Sequence, residues 1–342
     1  MTILKTAVIG CGSIARNRHL PEYEANPSVE ITAVCDLVKK RAERTAEPYG
    51  ARWYTDYEEL LKQENLDLVS ICLPNYLHAP VSIQALDAGV HVLCEKPMAA
   101  SSREAEDMIT ACKRNGKKLM IGHNQRFVPS HQKAYQLLRA GELGKVYSFR
   151  TTFGHGGPEG WSADGVNSWF FEKEKAIIGA MGDLGVHKAD LLRWLLGEEF
   201  SEIAGFIENN AKKEITVDDN AVCILRSESG VIGTMAASWA YQSEEDNSTV
   251  IYGERGTMHL EEDPEHSLVI QYANGNKVKY ELGRIASNEE GGQTGSYVID
   301  HFVDCVLYDR EPLIDGEEGK RSLEVILAAI DAENRSTLLK TE

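Results

Sequence analysis

The chain has 342 residues, of which 42% are hydrophobic and 26% charged, the balance of a globular protein long enough for two domains. A formal net charge of −17 argues against nucleic acid and anionic membrane surfaces as partners, since both require clustered cations. No run reaches the ~18–20 apolar residues of a helical membrane span.

The opening segment "KTAVIG" reads as a strand entering a glycine-rich turn. It does not read as a leader, because Gly10, Gly12 and Arg16 stand where a cleavage region would be. "EITAVCD" (30–36) is a second strand, and "KKRAERTAEPYG" a helix stopped near Pro48 and Gly50. "DLVSICLP" (67–74) is a continuous apolar strand, as expected when both faces are covered. The helix "APVSIQALDAG", the strand "VHVLCEKP", the helix "SREAEDMITACKRNG" and the strand "KLMIGHN" continue the alternation to about Asn124. Strands alternating with helices of this length predict βαβ units and a doubly wound parallel sheet.

Beyond Asn124 a helix, "SHQKAYQLLRAGELG", leads to the strand "VYSFRTTFGH" and a long irregular stretch, 154–180, rich in Gly and Trp. A helix begins near Asp183. From 201 the hydrophobic period shortens to two, with turn signals at "SESG", "GERG" and "ANGN", so mainly antiparallel sheet is expected. Two helices, "SYVIDHFVDCVLYD" and "SLEVILAAIDAENRSTLL", close the pattern. Seven cysteines without a C-x-x-C pair sit mostly beside apolar segments, which predicts buried thiols, no disulfide framework and a reducing cytoplasm.

"GCGSIA" (10–15) fits G-x-G-x-x-A after a strand and before a helix, the context that gives the pattern meaning. Gly10 permits the tight turn, Gly12 lets the backbone approach a pyrophosphate, and Ala15 allows close helix–strand packing. Ser13 and Ile14 open the helix whose N–H groups would face the phosphates. Asp36 ends the second strand, where a carboxylate accepts hydrogen bonds from the adenosine ribose. Its charge repels a 2′-phosphate, so NAD is expected over NADP, although Lys39, Lys40 and Arg41 could approach a phosphate. A helix N-cap at Asp36 fits the same place.

Leu73 and Pro74 of "LPNYLH" end the third strand of the alternation. There Asn75 and His78 either face the cofactor crevice or are ordinary turn residues. Lys96, which follows Glu95 at the next strand end, could stabilise a developing alkoxide, with Glu95 orienting it or binding a cofactor hydroxyl. Otherwise the pair is a solvated strand end. In "MGDLGVHKADLLRWLLG", Asp183 and His187 are four apart and hence on one helical face, where the carboxylate can orient the imidazole. In isolation the same spacing describes a helix N-terminal Asp and a partly buried His. Asp190 lacks a second His or Cys at ligand spacing, so no metal is expected and Asp190 reads as a surface charge. Trp161, Trp169, Phe170 and Phe171 could wall a sugar ring, cover a nicotinamide, or pack in a core.

Together, "GCGSIA", Asp36, "LPNYLHAP", "CEKPMA", "GHNQRF", "GDLGVHKADLLRWLLG" and the closing helices resemble the glucose–fructose oxidoreductase/inositol dehydrogenase/rhizopine-catabolism (Gfo/Idh/MocA) family along essentially the whole chain. The resemblance implies an α/β fold with an N-terminal Rossmann domain, 1–124. It also implies a C-terminal α+β domain, 125–342, with a large, mainly antiparallel open sheet. That sheet would join subunits into a homodimer or homotetramer.

The implied activity is NAD(P)-dependent hydride transfer to or from a sugar or cyclitol. The family's catalytic lysine maps to Lys96 and its Asp/His pair to Asp183 and His187. His187, oriented by Asp183, would take the hydroxyl proton while Lys96 polarises the oxygen. Asn124 and Arg126 of "NQRF" are expected to line the active site, and Trp161 and Trp169 the substrate. Ile177 and Ile178 stand where members carry glycines, and Ser162 where some carry an arginine. Relatives that hydrolyse glycosides with recycled NAD, or that only sense NAD, are the rival readings; retention of Lys96, Asp183 and His187 argues against the sensor.

Overall fold

The structure, a computed structural model, describes residues 2–283 and 294–335. Six strands build the first sheet: β1 (Leu4–Ile9), β2 (Val29–Cys35), β3 (Arg52–Tyr54), β4 (Leu68–Ile71), β5 (His91–Cys94) and β6 (Leu119–Ile121). All neighbours are parallel, in the order β3-β2-β1-β4-β5-β6. The order reverses between β1 and β4, which opens a crevice beyond their carboxyl ends. The continuous apolar runs have the expected cause. Ala7 and Ile9 join an apolar cluster on one face with Val69, Ile71 and Val92, while Leu4 and Val8 join another with Val34, Leu68 and Leu93.

The second sheet contains β7 (Val146–Gly154), β8 (Phe200–Glu208), β9 (Asn220–Ser227), β10 (Ile232–Ser238), β11 (Thr249–Gly253), β12 (Gly256–Leu260), β13 (Leu268–Tyr272) and β14 (Lys277–Tyr280). Its order is β14-β13-β12-β11-β7-β10-β9-β8, and only β7 and β10 pair in parallel. One face is covered: Leu191, Leu192 and Leu195 of the helix Val186–Leu196, and Ile326 and Ala329 of the helix Gly316–Arg335, pack with Cys223, Leu225 and Met235. On the other face Phe206, Val222, Ile224 and Ile232, from β8, β9 and β10, remain 50–59% exposed.

The packing crosses the boundary expected at residue 124. Val298, Ile299, Phe302 and Val303 of the helix Val298–Leu307 are buried against Leu4, Val8 and Tyr23 of the first sheet's layer. The last helix begins at Gly316, earlier than its apolar period suggests, because Asp315 accepts the Glu318 N–H at 2.9 Å and caps it. The end of that predicted helix lies outside the described residues. Among the described residues, no helix is long and apolar enough to cross a membrane.

Candidate active site

A cavity of about 450 Å³ opens where the crevice meets the second sheet. Gly12, Asp36, Leu73, Lys96, His187 and Asn247 are among its walls. At its Rossmann side, Gly10 has φ +96°, and a Cβ there would stand 2.1 Å from the carbonyl oxygen of Cys72, so only glycine fits. At Gly12 no atom beyond its chain neighbours lies within 4 Å of where a Cβ would stand, which leaves open backbone of the kind a pyrophosphate needs. The Asp36 carboxylate accepts the Cys11 N–H at 3.0 Å and the Val38 N–H at 2.8 Å. It is not the N-cap of the following helix, which starts at Lys39 with Val38 as its cap. A carboxylate has about four acceptor sites, so two remain for a ligand, with Arg41 Nη1 3.7 Å from Oδ2.

Three contacts tie the segment between β7 and the helix Val186–Leu196 to this side: Ser13 Oγ to Trp161 O at 2.6 Å, Arg41 to Asp164, and Asn75 Nδ2 to Ala176 O at 2.7 Å. Asn75 is therefore a clamp on that segment. His78 spends both ring nitrogens on main-chain carbonyls, Nδ1 with Pro97 O at 2.7 Å and Nε2 with Leu73 O at 2.8 Å. It lines the cavity and braces two crevice turns, with both ring nitrogens directed at main-chain carbonyls.

Beyond β5, Glu95 is buried and accepts from His19 Nε2 at 2.9 Å, with Arg18 Nη1 at 3.8 Å. Burial pushes its pKa up, but the His19 hydrogen bond and the Arg18 and Lys96 charges outweigh this and hold it at about 2. His19 Nδ1 continues to Ser70 Oγ at 2.9 Å, and Ser70 to Tyr23 OH at 2.8 Å. Glu95 is thus anchored inward through Oε1, while its Oε2 takes the Lys96 backbone N–H at 3.3 Å and the residue still lines the cavity. The glycine of "GHNQRF" makes room for it: a Cβ on Gly122 would lie 3.0 Å from Glu95 Oε1.

Lys96 Nζ donates to Asp183 Oδ1 at 2.7 Å and to Asp183 O at 2.8 Å. An ammonium has three N–H groups, so one is left for a ligand oxygen in the cavity that Lys96 lines. Asp183 Oδ2 accepts from the indole N–H of Trp239 at 3.2 Å. No hydrogen bond joins Asp183 to His187, which corrects the Asp/His pairing expected from the D-x-x-x-H spacing. Asp183 lies in a π turn, Met181–Gly185, while His187 lies in the α-helix that follows, so regular α-helical spacing does not describe the pair. His187 Nδ1 is enclosed without a partner, which leaves Nε2 as its polar atom for the cavity. Burial first, then the Lys96 charge, holds its pKa well below the ordinary histidine range, so the ring is neutral at working pH.

Two stretches of the chain match family descriptions: residues 4–123 an oxidoreductase family with an NAD-binding Rossmann fold, and residues 131–259 the GFO/IDH/MocA C-terminal domain. The chain belongs to the Gfo/Idh/MocA oxidoreductase family. It is 29% identical over 334 residues to the D-apiose dehydrogenase of Paraburkholderia graminis, which covers 95% of this chain and 86% of the relative. It is 27% identical over 261 residues to the inositol 2-dehydrogenase of Salmonella typhimurium, covering 75% of this chain and 74% of the relative. The crystal structure of aldose-aldose oxidoreductase from Caulobacter crescentus, complexed with glycerol, superposes with TM-score 0.82 at 27% identity, over 97% of this chain and 98% of that one.

Arg126 departs from what the family resemblance implied. Its guanidinium is buried in a bidentate pair with Asp190, Nε to Oδ2 at 2.8 Å and Nη2 to Oδ1 at 2.7 Å, with Glu318 Oε2 at 2.7 Å from Nη2. It does not line the cavity, whereas Asn124 and Gln125 do. Asp190 is fully buried, not a surface charge, and also accepts from Ser322 Oγ at 2.9 Å. The two residues join the helix Val186–Leu196 to the helix Gly316–Arg335, a long-range pairing that helical periodicity does not reveal. Trp161 and Trp169 line the cavity, Trp169 stacked on Phe170 at 3.9 Å and Trp161 edge-on to Phe170 at 5.2 Å. Ile177, at a family glycine position, has φ +69°, a strained conformation for a β-branched residue.

Sequence reading missed Arg18, His19, Trp239, His155, Glu245 and Asn247. The "RNRH" run beside the glycine-rich turn was a signal for the first two, and it too is wound as a π turn, Ala15–His19. Nothing local marks Glu245 and Asn247, which arrive on the connection between β10 and β11.

Proposed function

We propose that this protein is an NAD-dependent dehydrogenase that oxidises a hydroxyl of a sugar or cyclitol, or reduces the matching carbonyl. The observation that carries the reading is the third Lys96 N–H, left free beside a neutral His187 in a cavity walled by aromatic rings. Bound along Gly12 and Asp36, NAD would supply the hydride acceptor. The chain's own part is positional and electrostatic. Lys96, held by Asp183, donates to the substrate oxygen and stabilises negative charge as it develops. His187 Nε2 accepts the hydroxyl proton, and its burial makes it a transient carrier that does not retain the proton. Trp161, Trp169 and Phe170 offer flat apolar faces to a ring, and Glu245 and Asn247 offer polar groups to its hydroxyls. The names of the D-apiose and inositol 2-dehydrogenase relatives support the substrate class. Asp36, whose charge opposes a 2′-phosphate, supports NAD over NADP.

The exposed row Phe206, Val222, Ile224 and Ile232 supports assembly into a homodimer or homotetramer through the second sheet. Seven unpaired cysteines favour a cytoplasmic setting. The test is NADH absorbance with purified protein, NAD or NADP, and a panel of inositols and aldoses. Turnover on one polyol with NAD supports the reading. Sugar hydrolysis without accumulated NADH, or no turnover despite NAD binding, overturns it in favour of the hydrolase or the sensor.

A further inference from the structure

Asp183 is enclosed, and each of its carboxylate oxygens has a donor: Lys96 Nζ on Oδ1 and the Trp239 indole N–H on Oδ2. A buried carboxylate without such partners is strongly disfavoured. The indole is held rigidly. Trp239 is fully buried, its backbone N–H donates to Asp219 O at 2.7 Å, and Phe170 and Phe171 pack edge-on against its ring at 6.4 and 5.9 Å. It follows β10, on a different element from either Lys96 or Asp183.

We propose that Trp239 is the positioning residue that directs the Asp183 carboxylate to Lys96. With Oδ2 fixed by the indole, the carboxylate plane is set and Oδ1 is presented to the ammonium. Without that donor Oδ2 loses its only side-chain hydrogen bond among the described residues, and the carboxylate is free to rotate away from the ammonium. Phe170 also lines the cavity, so the wall that faces a substrate ring and the clamp on Asp183 share one aromatic stack. The consequence for turnover rests on the dehydrogenase reading; the consequence for Lys96 does not.

The experiment therefore has arms with and without activity. In competitive acetylation read by peptide mass spectrometry, Trp239→Phe should raise the labelling of Lys96 several-fold, toward the value for Asp183→Asn. NAD binding and the thermal midpoint report that the fold is intact. On a polyol that the wild type oxidises, kcat should fall ~10-fold with KM little changed, the scale of one lost hydrogen bond to a charged group. If Trp239→Phe does not fold, the comparison of wild type with Asp183→Asn still decides. Of its five indole N–H resonances, the one from Trp239 should move in Asp183→Asn more than the other four. Unchanged Lys96 labelling in a folded Trp239→Phe, or an unmoved indole resonance, overturns the proposal. If no polyol is oxidised by the wild type, the dehydrogenase reading fails, while the labelling and resonance arms still judge Trp239.

Discussion

The carboxylate of Asp183 lies 2.7 Å from Lys96 Nζ and makes no hydrogen bond to His187, four residues further along the chain. The two groups facing the cavity are thus differently prepared: an ammonium fixed by a carboxylate, and an imidazole kept neutral by burial. Both should matter to turnover and neither to cofactor binding. Lys96→Ala should lower kcat by roughly 10²–10³ through lost charge stabilisation, and His187→Ala by roughly 10²–10⁴ through lost proton transfer. NAD affinity, read by fluorescence titration, should change little in either. Full turnover in Lys96→Ala would remove it from the chemistry.

The Glu95–His19 contact predicts a stability effect without direct chemistry. His19→Leu leaves a buried carboxylate without its closest donor, and the expected loss is about 3 kcal/mol by chemical denaturation. A variant as stable as wild type would mean that Arg18 and Lys96 together satisfy Glu95.

Arg126 is expected to behave as a core residue. Arg126→Met breaks a buried bidentate pair and should cost about 3–5 kcal/mol, leaving Asp190 uncompensated. In whatever fraction folds, KM for the polyol should stay near the wild-type value. A large KM rise at unchanged stability would return Arg126 to the substrate site.

Lys188, next to His187, is fully buried with Nζ on Asn247 O at 2.7 Å, and burial pushes its pKa down to about 7. Its folded pKa lies below the unfolded one. The stability associated with the neutral amine is therefore fully present only above the unfolded pKa of about 10.4 and is lost progressively as pH falls from there to about 7. Lys188→Met should accordingly raise the thermal midpoint near pH ~6 and lose that advantage near pH ~10. It should also raise KM, since Asn247 on the cavity wall loses its anchor. A stability gain independent of pH would count against the buried charge as its cause.

The bare outer face of β8, β9 and β10 makes a prediction of its own. Ile224→Glu places a charge at the middle of the apolar row and should reduce the mass measured by light scattering to that of a monomer, with the fold unchanged by circular dichroism. A wild type already monomeric would end the assembly reading.

Much of the molecule was legible locally. The run "DLVSICLP" reads as a strand covered on both sides because parallel strands must be, and "GCGSIA" reads as a phosphate turn because its glycines meet backbone demands visible at Gly10 and Gly12. Those constraints act within a few residues, so the sequence can state them. What was misplaced were Arg126, read from the family resemblance, and Asp190, read from its own segment. Charged residues are usually exposed, and only a partner far along the chain makes their burial tolerable.

The sequence by itself determined the two sheets, the glycine-rich turn, the place of Asp36 at the end of the second strand, and the three polar groups Lys96, Asp183 and His187. Tertiary structure alone decided how those three are paired. A carboxylate bonds to whichever donors the fold brings within reach. Here Lys96 comes from the end of β5 and Trp239 from beyond β10, at separations that no helical spacing encodes.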